Sequence, residues 1–89
     1  RDIAIVVAET VSAAAVKEAI QKALVEVAVG DVELFDVYRG AGIPDGKKSM
    51  AYSFTLSAAD HTLKDDEIQK AMQCIIETLA SQLGAQLRA

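Results

Sequence analysis

The sequence predicts a single α+β domain: a two-layer sandwich in which two helices cover one face of a four-stranded antiparallel sheet. Three observations predict it. Apolar residues alternate in the first strand and over residues 48–56, which is the period of a half-buried strand. Two longer stretches repeat apolar residues at i, i+3 and i+4, which is the period of an amphipathic helix. Their order along the chain is βαββαβ. With 89 residues the chain is one domain, and a chain of this size buries about 60–65% of its unfolded surface. It holds no Trp, two Tyr and two Phe, so an aliphatic core of Ile, Val, Leu and Ala is expected.

The first strand runs from Arg1 to Val7, where Ile3, Ile5 and Val7 alternate with Asp2, Ala4 and Val6. Ser12 is suited to cap a helix, because its hydroxyl accepts a hydrogen bond from an orphan amide. Helix one is expected from Ala13 to about Val29, with Val16, Ile20, Ala23, Leu24 and Val27 as its apolar stripe and Gly30 as its stop. Glu18 and Lys22 form an i,i+4 pair in the favourable order. Strand two is expected over Val32–Arg39, with Phe35 and Val37 toward the helices and Leu34, Asp36 and Tyr38 on the other face. The loop 40–46 carries Pro44-Asp45-Gly46, in which Pro fixes φ and Gly permits a positive φ. Strand three is Lys48–Leu56: Met50, Tyr52, Phe54 and Leu56 form a large apolar face, and Ser49, Ala51, Ser53 and Thr55 a small, hydroxylated one. Thr62 is the expected cap of helix two, with Asp65, Asp66 and Glu67 near the positive end of the helix dipole. Ile68, Met72, Ile75, Ile76, Leu79 and Leu83 form the second buried stripe, Gly84 ends the helix, and Ala85–Arg88 is a last short strand with Leu87 inward and Gln86 and Arg88 outward.

This order is the split-βαβ or ferredoxin-like arrangement. Right-handed crossovers put both helices on one face and give the strand order 4-1-3-2. The other face is left open. The chain opens on Arg1-Asp2 without an initiator Met and stops after a strand, so the domain 1–89 reads as excised from a longer chain.

Several chemistries lack their residues. The lone Cys74 can form neither an internal disulfide nor a zinc site, and reads as a small, partly buried apolar residue; the compartment reads as reducing and cytoplasmic. No Cys-x-x-Cys, His cluster, P-loop or G-x-G-x-x-G is present. No run of 18 apolar residues spans a membrane. His61 reads as an exposed loop residue, and no residue set points to catalysis. The net charge of −4 argues against bulk electrostatic binding of nucleic acid but not against a local basic edge that touches a few phosphates.

The open face carries Asp2, Ala4, Val6, Leu34, Asp36, Tyr38, Ser49, Ala51, Ser53, Thr55, Gln86 and Arg88. Ala4, Ser49 and Tyr38 fall across three neighbouring strands. Tyr38 offers a π-face, Ser49 a donor and acceptor for a base edge, and Ala4 a close approach to the backbone. Arg39, Lys47 and Lys48 flank this corner as candidate phosphate contacts, with Asp2 and Asp36 as flanking residues on the face. The residues alone leave open a nucleotide-binding face, a solvated or protein-docking face, and an ACT-like small-molecule regulatory module of the same topology. An RNA-recognition motif fits poorly, because its exposed aromatics are replaced here by Ser49, Ala51, Ser53 and Thr55.

Four blocks occur in order: Arg1-Asp2-Ile3-Ala4; Val32-Glu33-Leu34-Phe35-Asp36-Val37-Tyr38-Arg39-Gly40; Gly46-Lys47-Lys48-Ser49-Met50-Ala51-Tyr52-Ser53; and Thr62-Leu63-Lys64-Asp65-Asp66-Glu67-Ile68. Together the chain resembles the ferredoxin-fold anticodon-binding domain, which closes the β subunit of bacterial phenylalanyl-tRNA synthetase. The resemblance spans essentially the whole chain. It implies phenylalanine tRNA as partner, with the anticodon received by the open face: Ala4 matches the alanine after R-D-x, Tyr38 the tyrosine that stacks on a base, and Ser49 the serine that contacts the anticodon. It further implies a parent α2β2 enzyme, including the rest of the β subunit and the α subunit, that uses ATP and Mg2+. No cofactor is expected in this domain. Lys64 stands where the family often has Thr, a better helix cap, and Ala15 lacks an acid often found there.

Overall fold

The computed structural model describes residues 1–88. Its elements are β1 (Asp2–Ala8), α1 (Ala13–Lys22), β2 (Ala28–Tyr38), β3 (Lys47–Ser57), α2 (Asp65–Leu83) and β4 (Gln86–Leu87). The four strands form one sheet in the order β2-β3-β1-β4, with every neighbouring pair antiparallel. This is the expected ferredoxin-like topology.

The core fills the space between sheet and helices. Ile3, Ile5 and Val7 from β1 and Met50, Tyr52 and Phe54 from β3 meet Val16 and Ile20 of α1 and Ile75 and Leu79 of α2. Each side chain of this size contributes about 1.5–3 kcal/mol when removed from water. The core is not wholly aliphatic: Tyr52 and Phe54 are its largest fully buried members. The Tyr52 hydroxyl leaves the apolar layer by donating to the Ala13 carbonyl at 3.0 Å, which ties β3 to the start of α1. Burial pushes its phenol pKa up.

Helix one is shorter than its apolar stripe suggests. It is capped by Ser12, whose hydroxyl accepts from the Ala15 amide at 3.1 Å, and it ends at Lys22 rather than near Val29. Gly30 is therefore not its stop. The residues after Leu24 include Val25, Val27 and Val29, whose branched Cβ atoms favour extended backbone. From Ala28 the chain pairs with the end of β3, through Ala28–Ser57, Val29–Leu56 and Gly30–Thr55. The long cross-strand ladder outweighs one more turn of helix.

β2 also departs from simple alternation. Its register to β3 shifts between Gly30 and Glu33 and again between Leu34 and Asp36. At the first irregularity Asp31 takes a positive φ of 51°, a region an aspartate tolerates better than most residues. At the second, Phe35 is the unpaired residue of a bulge. Leu34 consequently pairs with Tyr52 on the helix face, not the open face, and Phe35 is exposed rather than inward. Beyond the bulge Val37 pairs with Met50 and Tyr38 with Ser49, so Asp36 and Tyr38 do lie on the open face.

α2 is capped two residues later than Thr62. Lys64 is the N-cap, and its amide donates to the Glu67 carboxylate at 3.1 Å. A lysine side chain has no acceptor, so only this return half of a capping box can form. His61 adds a second link, with Nδ1 at 2.7 Å from Asp60 and Nε2 at 2.8 Å from Glu67. At the far end Gly84 adopts the left-handed conformation with φ 65°, and its amide bonds back to the Ala80 carbonyl at 3.0 Å. The turn sends β4 back along β1, pairing Ile5 with Leu87 and Val6 with Gln86. Cys74 is a half-buried free thiol whose Sγ lies 3.4 Å from the Ala23 carbonyl, joining the two helices.

Candidate nucleic-acid interface

The regular pairing of β1 with β3 positions the open face. Asp2 pairs with Ser53, Ala4 with Ala51 and Val6 with Ser49, all with side chains opposite the helices. On the far side of β3, Asp36 pairs with Ala51 and Tyr38 with Ser49. Ala4, Ser49 and Tyr38 thus belong to one patch spanning β1, β3 and β2, as the alternation predicts. Asp36 lies level with Ala51 and Ala4, and Asp2 lies two residues further from the loop end, level with Ser53.

Arg88 completes the patch. Its amide donates to the Ala4 carbonyl at 2.8 Å, which extends the β4 pairing by one residue. From there the guanidinium reaches across two strands. Nη1 donates to Ser49 Oγ at 3.2 Å, and Cζ lies 4.9 Å from the centroid of the Tyr38 ring. That is a cation–π distance. Ser49 is only 3% exposed beneath it. A planar ligand on this face meets an aromatic ring, a hydroxyl and a guanidinium within one small area. The sequence marks Arg88 as outward but gives no sign that it lies between the two other groups. That position depends on how the last strand docks.

Tyr38 is held from its other end. Its hydroxyl donates to the Ala41 carbonyl at 3.1 Å. Gly40, at φ 138°, lies so close that a Cβ there would be 3.2 Å from the Tyr38 oxygen and 3.5 Å from Cζ. The loop folds back onto the ring only because residue 40 has no side chain. Gly46, at φ 79°, supplies the positive φ that closes the Pro44–Lys47 turn and starts β3.

The flanking cations divide into two groups. Arg39 and Lys48 are both engaged by Glu9, in the connection between β1 and α1. The Arg39 guanidinium donates through Nε and Nη2 to the two carboxylate oxygens of Glu9, the second bond at 2.9 Å. Lys48, 9% exposed and paired with Val7 on the helix side, donates its ammonium to the Glu9 carbonyl at 3.2 Å. The hydrogen bonds from Arg39 hold the Glu9 carboxyl below the usual carboxylate range and raise the Arg39 guanidinium above its own. Lys47, the first residue of β3, carries no side-chain ion pair among the described residues.

Among the described residues no group of three or more His, Cys, Asp and Glu side chains is arranged to hold a metal ion. Among the described residues no helix is long and apolar enough to cross a membrane.

Comparison with known proteins agrees with this geometry. The family model described as "Ferredoxin-fold anticodon binding domain" matches residues 1–88. The phenylalanine–tRNA ligase beta subunit of Chromobacterium violaceum is 46% identical over 88 residues, 99% of this chain and 11% of that protein. The corresponding subunits of Syntrophotalea carbinolica and Geobacillus kaustophilus are 44% and 46% identical over the same length. The chain therefore spans about a ninth of the length of these relatives, 11% in each case. An open four-stranded sheet, a tyrosine–serine–arginine patch on it and a match over residues 1–88 lead to one assignment: this chain belongs to the ferredoxin-fold anticodon-binding domain family.

Proposed function

We propose that this chain binds the anticodon region of phenylalanine tRNA through its open sheet face, as one module of a phenylalanine–tRNA ligase β subunit. The observation that supports this reading is the convergence of Ala4, Tyr38, Ser49 and Arg88 on a face that neither helix covers. An unpaired base stacks on the Tyr38 ring. A base edge that reaches Ser49 takes over the hydrogen bond Arg88 now makes. Ala4, with no side chain beyond Cβ, lets a base lie close to β1. Asp2 and Asp36 border the patch as acceptors. Lys47 is the flanking cation left to meet a phosphate, whereas Arg39 must first leave Glu9 to do so and Lys48 is nearly buried on the helix side.

The reaction that joins phenylalanine to tRNA, with ATP and Mg2+, belongs in this reading to the α2β2 parent enzyme in the cytoplasm. This chain contributes position. Contacts at the anticodon orient the tRNA so that its distant acceptor end reaches the reacting groups.

The test is Tyr38→Ala in the full-length β subunit assembled with its α partner. Loss of one stacked base costs about 1–3 kcal/mol of tRNA affinity, while ATP–pyrophosphate exchange with phenylalanine stays unchanged. An unaltered tRNA affinity in the Tyr38→Ala, Ser49→Ala double variant refutes the assignment of the site.

A further inference from the structure

Glu9 reaches both ends of the loop between β2 and β3. Its carboxylate takes Arg39, which directly follows Tyr38. Its carbonyl takes the ammonium of Lys48, which directly precedes Ser49. Its amide donates to the Gly46 carbonyl at 2.9 Å. Three separate groups of one acidic residue thus tie down the corner at which Arg39 follows Tyr38; Lys48 is held there on the helix side and nearly buried.

We infer that Glu9 is a specificity-determining residue: it withholds Arg39 from phosphate, so that the face responds to an unpaired base and not to backbone charge. This rests on the RNA-binding reading above. The physical case is one of competition. A bidentate guanidinium–carboxylate pair satisfies the same fork of donors that would otherwise grip a phosphate. Phosphate contacts carry no sequence information and raise affinity for any RNA alike. A domain with net charge −4 that binds through a small patch gains discrimination if nearby cations stay neutralised. The pair is partly open to water, with the side chains of Arg39 and Glu9 57% and 39% exposed. Arg39 therefore lies where a phosphate could reach it once Glu9 lets go.

The test uses Glu9→Gln in the full-length subunit, which keeps the size of the side chain and its main-chain bonds to Lys48 and Gly46. Binding is measured by fluorescence anisotropy across a salt series. One RNA is an anticodon stem-loop of phenylalanine tRNA; the other is a fully paired RNA duplex with no unpaired bases. Glu9→Gln should tighten binding of the duplex, steepen its slope of log affinity against log salt by about 0.9 for one added phosphate, and narrow the preference for the stem-loop. Arg39→Gln in the Glu9→Gln background should return slope and preference to their original values. Arg39→Gln alone should change neither. If Glu9→Gln leaves the duplex slope and preference unchanged while Tyr38→Ala still weakens the stem-loop, the inference about Glu9 is overturned and the binding reading stands. If Tyr38→Ala with Ser49→Ala leaves stem-loop binding intact, the reading beneath it fails instead. A far-ultraviolet circular dichroism melt confirms that each variant is folded, and Glu9→Asp, which keeps the charge, serves as the alternative should Glu9→Gln not fold: its shorter reach should produce a smaller shift in the same direction, and no shift refutes the inference.

Discussion

Gly40→Ala and Gly42→Ala form a matched pair that isolates how the tyrosine of the open face is held. Both glycines have a positive φ, 138° and 86°. An alanine at either is therefore strained, by about 1–3 kcal/mol. At Gly42 a new Cβ meets nothing within 4 Å, so backbone strain is the whole effect. At Gly40 the same Cβ comes to 3.2 Å of the Tyr38 oxygen and 3.5 Å of Cζ. The ring must give by a few tenths of an ångström, which strains its hydrogen bond to Ala41 and adds at most the worth of that bond, about 0.5–1.5 kcal/mol. Urea unfolding should rank the variants as original chain, Gly42→Ala, Gly40→Ala. NMR of the aromatic region gives the second readout: Tyr38 resonances shift in Gly40→Ala and stay in place in Gly42→Ala, while those of buried Tyr52 are unchanged in both. Equal destabilisation with an unmoved Tyr38 signal in Gly40→Ala would refute the claim that the loop buttresses the ring.

Three further outcomes are expected. The His61 imidazole is raised above its ordinary 6.5 chiefly by its hydrogen bond to Glu67, then by that to Asp60; the clasp on α2 is fully present below pH 6.5 as far as His61 is concerned and is lost as pH rises through the higher folded value. Glu67 and Asp60 are lowered, so their share is lost instead as pH falls through the acidic range, and His61→Gln should flatten the alkaline part of a melting-temperature profile between pH 5 and 9, roughly the window around those ordinary values. Asp31→Gly relieves the positive φ at the first irregularity of β2 and should stabilise the chain by a few tenths to about 1 kcal/mol in urea unfolding, the relief being partly offset by the entropy of glycine. Tyr52→Phe removes the bond to Ala13 and should cost about 0.5–1.5 kcal/mol by the same assay, with the open-face resonances unmoved.

The parts of the molecule that alternation could reveal are those where pairing is regular. β1 and β3 run side by side without a shift from Asp2–Ser53 to Ala8–Lys47, so Ala4 and Ser49 were legible from spacing alone. Tyr38 was legible because it lies past the bulge, where β2 regains its register. Leu34 and Phe35 were not, since an extra residue in one strand inverts every inference made across it. The end of helix one was illegible for another reason. Val27 fits a helical stripe and a strand equally well, and the decision came from the partner available in β3. Arg88 and Glu9 owe their roles to contacts 39 and 30 residues away in sequence, which no local pattern encodes.

β4 is the thinnest element of the fold, just Gln86 and Leu87, yet it carries the chain to Arg88. The guanidinium of Arg88 returns the favour by anchoring that tail on Ser49 and Tyr38. Attachment of the tail and occupation of the face are therefore thermodynamically linked. Any ligand that keeps Arg88 in its own contacts clamps the C-terminal end of the sheet, and amide exchange in residues 85–88 should slow when it binds. A ligand that evicts Arg88 from Ser49 without engaging it should loosen the same four residues, so the edge strand reports on how the face is filled.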